Sequence, residues 1–302
     1  MLTQMWRVCV SWVVALSLYL ICYVVMIIDV HTHCLQPEHI SEAAHQADQA
    51  AGYPPMKTLA FAQYKKGLDA VDRAIVFGVR GVATGARSPN DFTAQWVAHD
   101  PQRLIGFMAI DPTEDDYLEE IERCVGLGLR GIKMYPMLGR YDPTDATVFA
   151  MYAKAQELGL PILAHTGAHP NPRAMLKYSI PLLYDEIAQA YPKLKIVLAH
   201  MAHPWQVECA LVLRKHRNVY ADVSGAWVRS WQGWEALVCM HEWGVADKLL
   251  FGSDFPLWTP AEGMQKLRRL NDQVEGTRLP RIPDEMIEQI IHRDSLELLG
   301  LS

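Results

Sequence analysis

The chain has few of the features that mark a disulfide-rich, redox or nucleic-acid-binding protein. Its six cysteines are scattered and include no C-x-x-C pair, which is typical of reduced thiols in the cytosol. It also lacks an excess of basic residues, and its net charge of -6 argues against nucleic acid as a partner. What remains is a chain of 302 residues, half of them hydrophobic, which is long enough for one large core.

Charge is also absent from most of the N-terminal segment. Residues 8–28 are almost wholly apolar, with Arg7 as the only flanking charge before Asp29. A run of that length predicts a membrane-spanning helix. A secretory signal peptide is a second interpretation, although no small-residue cleavage site follows the run. The run continues without a polar linker into a predicted strand, so a third interpretation is that translation starts at Met26 and that residues 1–25 are an upstream extension.

These interpretations give different locations for the protein. A start at Met26 predicts a cytoplasmic protein, whereas a genuine N-terminal segment predicts a membrane-anchored one. We divide the chain into the apolar segment 1–25 and a single domain over residues 26–302. A membrane is expected as a partner only if residues 1–25 are genuine. The oligomeric state stays open, a homo-oligomer included.

Beyond Met26 the chain alternates between strand-like and helix-like segments. The strand-like segments are short runs rich in Val, Ile and Leu, and the helical ones include 115–127 and 146–158, which stops at Gly159. A doubly wound sheet would place a glycine-rich phosphate turn after its first strand, where this chain has a histidine pair. Eight apolar strands favour an α/β fold of the closed (β/α)8, or TIM-barrel, type. The predicted strands are 27–31, 74–79, 104–110, 131–135, 161–165, 195–200, 218–223 and 248–252.

Four of these runs lead to side chains that can bind a metal. His31 and His33 stand two residues apart, so they share a face of a regular strand. His165, His200 and Asp254 follow the fifth, sixth and eighth runs. Active sites of TIM barrels lie at the carboxyl ends of the strands, which would bring these side chains together. One histidine alone is more simply a structural residue, but five coincident positions predict a metal site.

The order of these motifs resembles the amidohydrolase superfamily. Asp-x-His-x-His, Gly-Ile-Lys-x-Tyr-Pro, His-Thr-Gly, Leu-Ala-His and Gly-Ser-Asp-x-Pro follow one another within residues 26–302. The pattern is most similar to the amidohydrolase-related branch that contains aminocarboxymuconate semialdehyde decarboxylase. The resemblance implies one divalent metal ion, zinc in the first place and manganese in the second, with His200 acting on the substrate beside it. The implied metal ligands are His31, His33, His165 and Asp254.

Metal-assisted cleavage is the chemistry expected of such a site. A divalent ion lowers the pKa of a bound water to about 7 and polarises a substrate oxygen. Asp254 would act as general base and then as general acid, and His200 would donate a hydrogen bond to the developing oxyanion. Asp29 has the sequence parity of the histidine pair, so we expect it to face the barrel interior and either orient a ligand or pack the strand end.

The mouth of the predicted barrel suggests a small-molecule substrate that carries a carboxylate. Binuclear members of the superfamily have a carboxylated lysine at strand four, but the sequence around Lys133 resembles the mononuclear branch. Lys133 is therefore expected to pair with a substrate carboxylate or to form a structural salt bridge. Arginines in the loops could bind an acid group or be solvated, and tryptophans could wall an apolar substrate or pack the loops. These further candidates are Arg140, Arg173, Arg229, Trp227, Trp231 and Trp258.

Three functions are compatible with the sequence. The first is a metal-dependent hydrolase of an amide, ester or lactone bond in a small molecule. The second is a metal-dependent non-oxidative decarboxylase of an aromatic or unsaturated carboxylic acid, which would use the same ligands. The third is a non-catalytic, membrane-tethered binding module, which is disfavoured because every ligand position is filled.

Overall fold

The computed structural model describes residues 26–52, 54–169 and 171–302. Segment 1–25, with its three interpretations, lies outside these ranges, and the division of the chain at residue 26 stays a prediction. Among the helices of the described ranges, none combines the length and the apolar character that crossing a bilayer requires.

Eight parallel strands form the centre of the molecule, each at the place predicted from the sequence. The strands are β1 (Ile28–His33), β2 (Arg73–Phe77), β3 (in two sections, Leu104–Gly106 and Met108–Ala109), β4 (Ile132–Met134), β5 (Ile162–Ala164), β6 (Ile196–Leu198), β7 (Val219–Asp222) and β8 (Leu249–Leu250). β1 pairs with β2, the first section of β3 pairs with β2, and its second section pairs with β4. From β4 to β8 each strand pairs with the next.

Backbone hydrogen bonds close this row of strands into a ring. Within β3, the Phe107 N–H bonds to a carbonyl of β2 at 2.9 Å, and the Met108 N–H bonds to the carbonyl of the residue before β4 at 2.8 Å. At the other seam, the Val30 N–H of β1 bonds to the Phe251 carbonyl just after β8 at 2.9 Å. A parallel sheet of eight strands whose first and last members are bonded is a TIM barrel, which confirms the predicted fold.

Helices surround the ring and bury its outer face. The helix expected over 115–127 is observed as Tyr117–Gly126, and Ala146–Leu158 is observed as predicted, with Gly159 in the left-handed conformation (φ 67°) as its cap. A short antiparallel hairpin, Arg80–Gly81 with Ala86–Arg87, follows β2. The helices are α1 (Glu42–Ala50), α2 (Phe61–Gly67), α3 (Asn90–Ala98), α4 (Tyr117–Gly126), α5 (Pro136–Gly139), α6 (Ala146–Leu158), α7 (Leu183–Ala190), α8 (Gln206–Lys215), α9 (Ser230–Glu242), α10 (Pro260–Arg268), α11 (Asp284–Ile291) and α12 (Ser295–Leu299).

The inward faces of the strands bury an apolar cluster in the lower half of the barrel. Leu296, Leu299 and Leu301 pack against this cluster from below, and the Leu301 carbonyl accepts a hydrogen bond from Arg130, just before β4, at 3.0 Å. The amino ends of the strands are therefore closed by the α12 region. The strand residues of the cluster are Ile28, Val30, Ile75, Phe77, Ile105, Phe107, Leu163, Val197, Tyr220 and Leu250.

A β-bulge in β1 interrupts the alternation of its side chains. Asp29 and Thr32 pair with residues of β2 that are only two apart, so Val30 and His31 together oppose a single residue. Val30 belongs to the interior cluster, whereas the β2 partner of Asp29 packs in the outer core. His31 and His33 both face inward, but Asp29 does not. The expectation that Asp29 shares their face is wrong because the bulge shifts the parity by one residue.

Candidate metal centre and active site

Three of the predicted site residues converge at the carboxyl end of the barrel. Asp254 Oδ1 lies 2.9 Å from His33 Nε2 and 3.5 Å from His31 Nε2. One candidate ligand atom from each residue lies within 4.8 Å of the other two. Imidazole nitrogens and a carboxylate oxygen at such distances are the donor set that zinc and other first-row divalent metals take.

The turn after β8 holds Asp254 over the first strand. Asp254 has a left-handed backbone (φ 63°), which is costly for a residue with a Cβ and is kept only where the surroundings impose it. Its N–H bonds to the His31 carbonyl at 2.9 Å. Asp29 Oδ1 accepts the N–H groups of His31 and Ser253, both at 3.0 Å. Asp29 therefore ties the bulge of β1 to the turn that carries Asp254.

Burial is the largest single influence on the pKa of each of these groups. It raises the pKa of Asp29 to about 7 and lowers the pKa of His31 to about 3, with the nearby Lys133 ammonium adding to the second shift. Burial would also raise the pKa of Asp254, but the hydrogen bond from His33 and the neighbouring imidazoles hold it below its usual range. The centre thus presents a neutral imidazole and an ionised carboxylate, which are the protonation states that bind a metal.

Asp222 is a site residue that the sequence analysis did not single out. It ends β7 and is fully buried, and its Oδ2 accepts a hydrogen bond from His31 Nδ1 at 2.9 Å. The proton on Nδ1 leaves the Nε2 lone pair of His31 free to face Asp254. The signal was present in the sequence, because Val219–Asp222 is one more apolar run that ends on a metal-binding type of side chain.

A serine fixes the proton on the ring of His200. The Ser224 hydroxyl donates its only hydrogen to Asp222, so the Ser224 oxygens can only accept from His200. His200 Nδ1 lies 2.8 Å from Ser224 Oγ and 3.2 Å from the Ser224 carbonyl oxygen, and it therefore carries the ring proton. A neutral His200 then has a lone pair on Nε2. These hydrogen bonds favour a proton acceptor at this position, in place of the oxyanion donor expected from the sequence.

His165 lies beside His200 but does not belong to the close group of His31, His33 and Asp254. Its ring centroid is 4.8 Å from that of His200, which is itself 4.8 Å from that of His31. Among the described residues, neither His165 Nε2 nor His31 Nε2, both buried, has a hydrogen-bond partner. Burial also lowers the pKa of His165 well below its usual range. Buried acceptor nitrogens without donors fit an additional ligand such as a metal ion.

His169 is a second residue that the sequence analysis left aside. Its ring centroid is 5.4 Å from that of His165, and it lines the cavity above the centre. Its Nδ1 accepts the Asn171 backbone N–H at 3.1 Å, so a neutral ring carries its proton on Nε2. The position follows β5 in a loop with no strand pattern. Only the folded loop brings it to the site.

Lys133 occupies an unusual position in the barrel. Its ammonium is fully buried and lies 4.9 Å from the Phe77 ring centroid and 4.8 Å from that of Tyr135. Within the part of the chain that the structure describes, it has no hydrogen-bond partner. Burial lowers its pKa to about 7. The expected structural salt bridge is absent from the described residues. Lys133 does not line the open cavity, and its pairing with a substrate carboxylate stays a prediction.

A cavity of about 1320 Å³ opens above the centre. His33, His165, His200 and Asp254 line its deep end, and three of the predicted substrate contacts, Arg173, Arg229 and Trp258, also line it. The other three do not. Arg140 is exposed and bonds to the Arg173 carbonyl at 3.0 Å, Trp227 is buried in the core, and Trp231 is 51% exposed outside the cavity.

Solved structures with this architecture include several TIM-barrel proteins. An uncharacterized TIM-barrel protein from Bordetella bronchiseptica is 19% identical, with 91% of this chain and 98% of that chain covered and a TM-score of 0.66. A probable 2-pyrone-4,6-dicarboxylic acid hydrolase from Acinetobacter baumannii, with citric acid bound, is 16% identical, with 91% and 99% covered and a TM-score of 0.66. A dihydroxybenzoic acid decarboxylase from Polaromonas sp. JS666, with bound manganese and the inhibitor 2-nitroresorcinol, is 20% identical, with 91% and 97% covered and a TM-score of 0.62.

Sequence comparison gives a partial relative and a family. An alignment over 126 residues shows 27% identity to the dihydroorotase of Helicobacter pylori (strain HPAG1). It covers 39% of this chain and 35% of that protein. The chain therefore spans about a third of this curated relative. The amidohydrolase family model matches residues 28–301, which include all eight strands. The chain belongs to the amidohydrolase family of enzymes.

Proposed function

We propose that the chain binds one divalent metal ion at the carboxyl end of the barrel. The support is the convergence of two imidazoles on one carboxylate oxygen and the buried ring nitrogens that lack a partner in the described ranges. The manganese in the Polaromonas decarboxylase, which has the same fold, makes manganese as good a candidate as zinc. The proposed ligands are His31, His33, His165 and Asp254.

The proposed reaction is hydrolysis of an ester, amide or lactone bond in a small molecule. One observation carries it: Asp254 and His200, both on the cavity floor, present proton acceptors, the carboxylate and the Nε2 lone pair. Activation of water needs such an acceptor. The metal, when bound, supplies Lewis acidity toward the substrate oxygen.

Asp254 and His200 would each accept a proton in this reaction. Asp254 would take the proton of the attacking water and return it to the leaving group. His200 would accept the second proton of that water on Nε2 as the product acid ionises, and would then release it to solvent, while Ser224 keeps its Nδ1–H in place. Asp222 would hold His31 by its side chain and His200 by the backbone N–H, at 2.9 and 3.0 Å. Proton transfer then needs no rearrangement of these side chains.

Decarboxylation of an aromatic or unsaturated acid is the second candidate function. The Polaromonas relative is a dihydroxybenzoic acid decarboxylase, and the cavity wall offers a cation for a substrate carboxylate. Arg229 lines the cavity, is exposed, and has no ion-pair partner among the described residues. Arg173 is less available because it lies against the Thr84 carbonyl and Asp48.

A product assay separates the two functions. The full chain, loaded with zinc or with manganese, would be given lactones, esters and hydroxybenzoates, with acid release and CO₂ release measured in parallel. We expect acid release without CO₂. Release of CO₂ from a hydroxybenzoate would contradict hydrolysis and support decarboxylation as the function.

Metal removal tests the cofactor. Chelation should abolish turnover, and the added ion should restore it. The matched variants are His31→Ala, which should lose about one metal per chain by elemental analysis, and His292→Ala, at a half-buried histidine outside the cavity, which should keep both metal and turnover. Full activity of the metal-free enzyme would contradict the proposal.

A further inference from the structure

The upper wall of the active-site cavity is apolar and open to solvent. Met56, Val228 and Leu257 are 38%, 44% and 67% exposed, and all three line this cavity. They come from three separate segments, before α2, after β7 and after β8. Single exposed apolar residues are ordinary on a protein surface, but several around one opening form a patch that commonly marks a binding site.

The cavity is larger than its chemical centre requires. Pockets for drug-sized ligands measure about 300–1,000 Å³, and this one measures about 1320 Å³. The histidines and Asp254 occupy only its deep end. A substrate of one ring would cover the floor and leave the wall of Met56, Val228 and Leu257 in water.

We propose that the substrate is an amphiphile with a compact polar head and an apolar body. The head would be the ester, amide, lactone or carboxylate that reacts at the floor, and this part rests on the proposed function. The body would be an alkyl chain or a second ring of several carbons, lying against Met56, Val228 and Leu257. The patch lines the same cavity as the reacting centre, which favours a small molecule that enters the cavity as its occupant.

Burial of the body sets the size of the effect. Each methylene moved from water into an apolar site strengthens binding by about fourfold, which corresponds to ~0.8 kcal/mol. The gain should continue with each added carbon until the wall is covered, and then level off. Affinity that rises with chain length would therefore measure how far the wall reaches.

The test is a binding series that does not depend on turnover. The metal-loaded full chain would be titrated by calorimetry with 4-alkylbenzoates, from methyl to hexyl. We expect Kd to fall roughly three- to fourfold per methylene over part of the series. Val228→Ser and Leu257→Ser should weaken the hexyl member by about tenfold and leave the methyl member unchanged, because only the long body reaches them.

Leu127→Ser is the matched control. Leu127 is 41% exposed and caps α4 at the amino end of the barrel strands, away from the cavity. It should leave the whole series unchanged, and all three variants should unfold at the wild-type temperature because the replaced side chains are exposed. A flat series, or an equal loss in the control, would overturn the inference. So would a dimer that Leu257→Ser dissociates, since the patch would then serve a second copy.

Failure of the inference and failure of the proposed function would look different. A rising affinity without turnover of any ester, lactone or acid would refute the reaction and keep the amphiphile. Turnover of short substrates with a flat binding series would keep the reaction and refute the amphiphile.

Discussion

The upper and lower halves of the barrel interior are built from the same strand faces but have opposite chemistry. At the end of β5 the inward residue changes from Leu163 to His165. Along β7 it changes from Tyr220 to Asp222, again within two positions. The lower half is apolar and is closed by Leu299 and its neighbours. The change occurs at one level of the barrel, so packing and chemistry occupy separate layers of one structure.

The two layers also differ in how complete they are. Apolar side chains in the lower layer pack closely against one another and need no other partner. In the upper layer His31 Nε2, His165 Nε2 and Lys133 Nζ are buried and have no hydrogen-bond partner in residues 26–52, 54–169 and 171–302. A buried polar group without a partner is destabilising. A ligand that binds these atoms would therefore stabilise the upper layer, and changes in the two layers should have separable effects.

Asp254→Asn should give the largest loss, because it removes both the proton carrier and a metal ligand from the upper layer. We expect turnover to fall by up to roughly 10⁴-fold, with a far-ultraviolet circular dichroism spectrum like that of the wild type. A variant that turns over at near the wild-type rate would remove Asp254 from the mechanism.

His200→Asn should lower turnover by roughly 10²-fold, because it removes a proton acceptor but not a proposed ligand. The metal content, measured by elemental analysis, should stay at about one ion per chain. Loss of the ion would instead make His200 a metal ligand, in addition to His31, His33, His165 and Asp254.

Asp222→Asn should cost roughly 10- to 100-fold in metal affinity or turnover, because the amide holds His31 less firmly than the carboxylate does. The matched control is Asp185→Asn, which alters a similar contact on the surface, where Asp185 Oδ1 lies 2.6 Å from His216 Nε2. That variant should leave turnover unchanged. Equal losses in the two variants would mean that Asp222 matters only for stability.

Leu299→Ala should have the smallest effect on turnover and the clearest effect on stability. Its side chain is 1% exposed in the lower layer, so the cavity left behind should lower the free energy of unfolding by about 2–5 kcal/mol. Denaturant titration would measure that loss, and the rate per folded molecule should be unchanged. A rate that fell with stability would show that the two layers are coupled.

The strands and the histidine pattern could be predicted because they depend on local composition. Short apolar runs bounded by Gly, Pro or Asp have few alternatives to buried strands. His31 and His33 were recognisable because they end one of those runs. Asp222 could not be picked out in this way because the predicted strand 218–223 continues past it to Val223, whereas β7 ends at Asp222.

Other features depend on contacts that local sequence does not encode. The bulge at Val30 has no Gly or Pro to mark it, so the parity of Asp29 could not be inferred. The tautomer of His200 depends on Ser224, which becomes its neighbour only when β6 and β7 pair. The lack of a partner for Lys133 results from the packing of several strands. Each is a property of the assembled ring.

The seam between β1 and β8 sets the order in which the protein can become active during synthesis. His33 and Asp254 are 221 residues apart in the chain and meet only there. A nascent chain that has emerged as far as β7 has its first histidines but not the carboxylate that they face. Contacts between such distant residues also slow folding. Activity should therefore arise only late, when the last strand has left the ribosome and paired with the first.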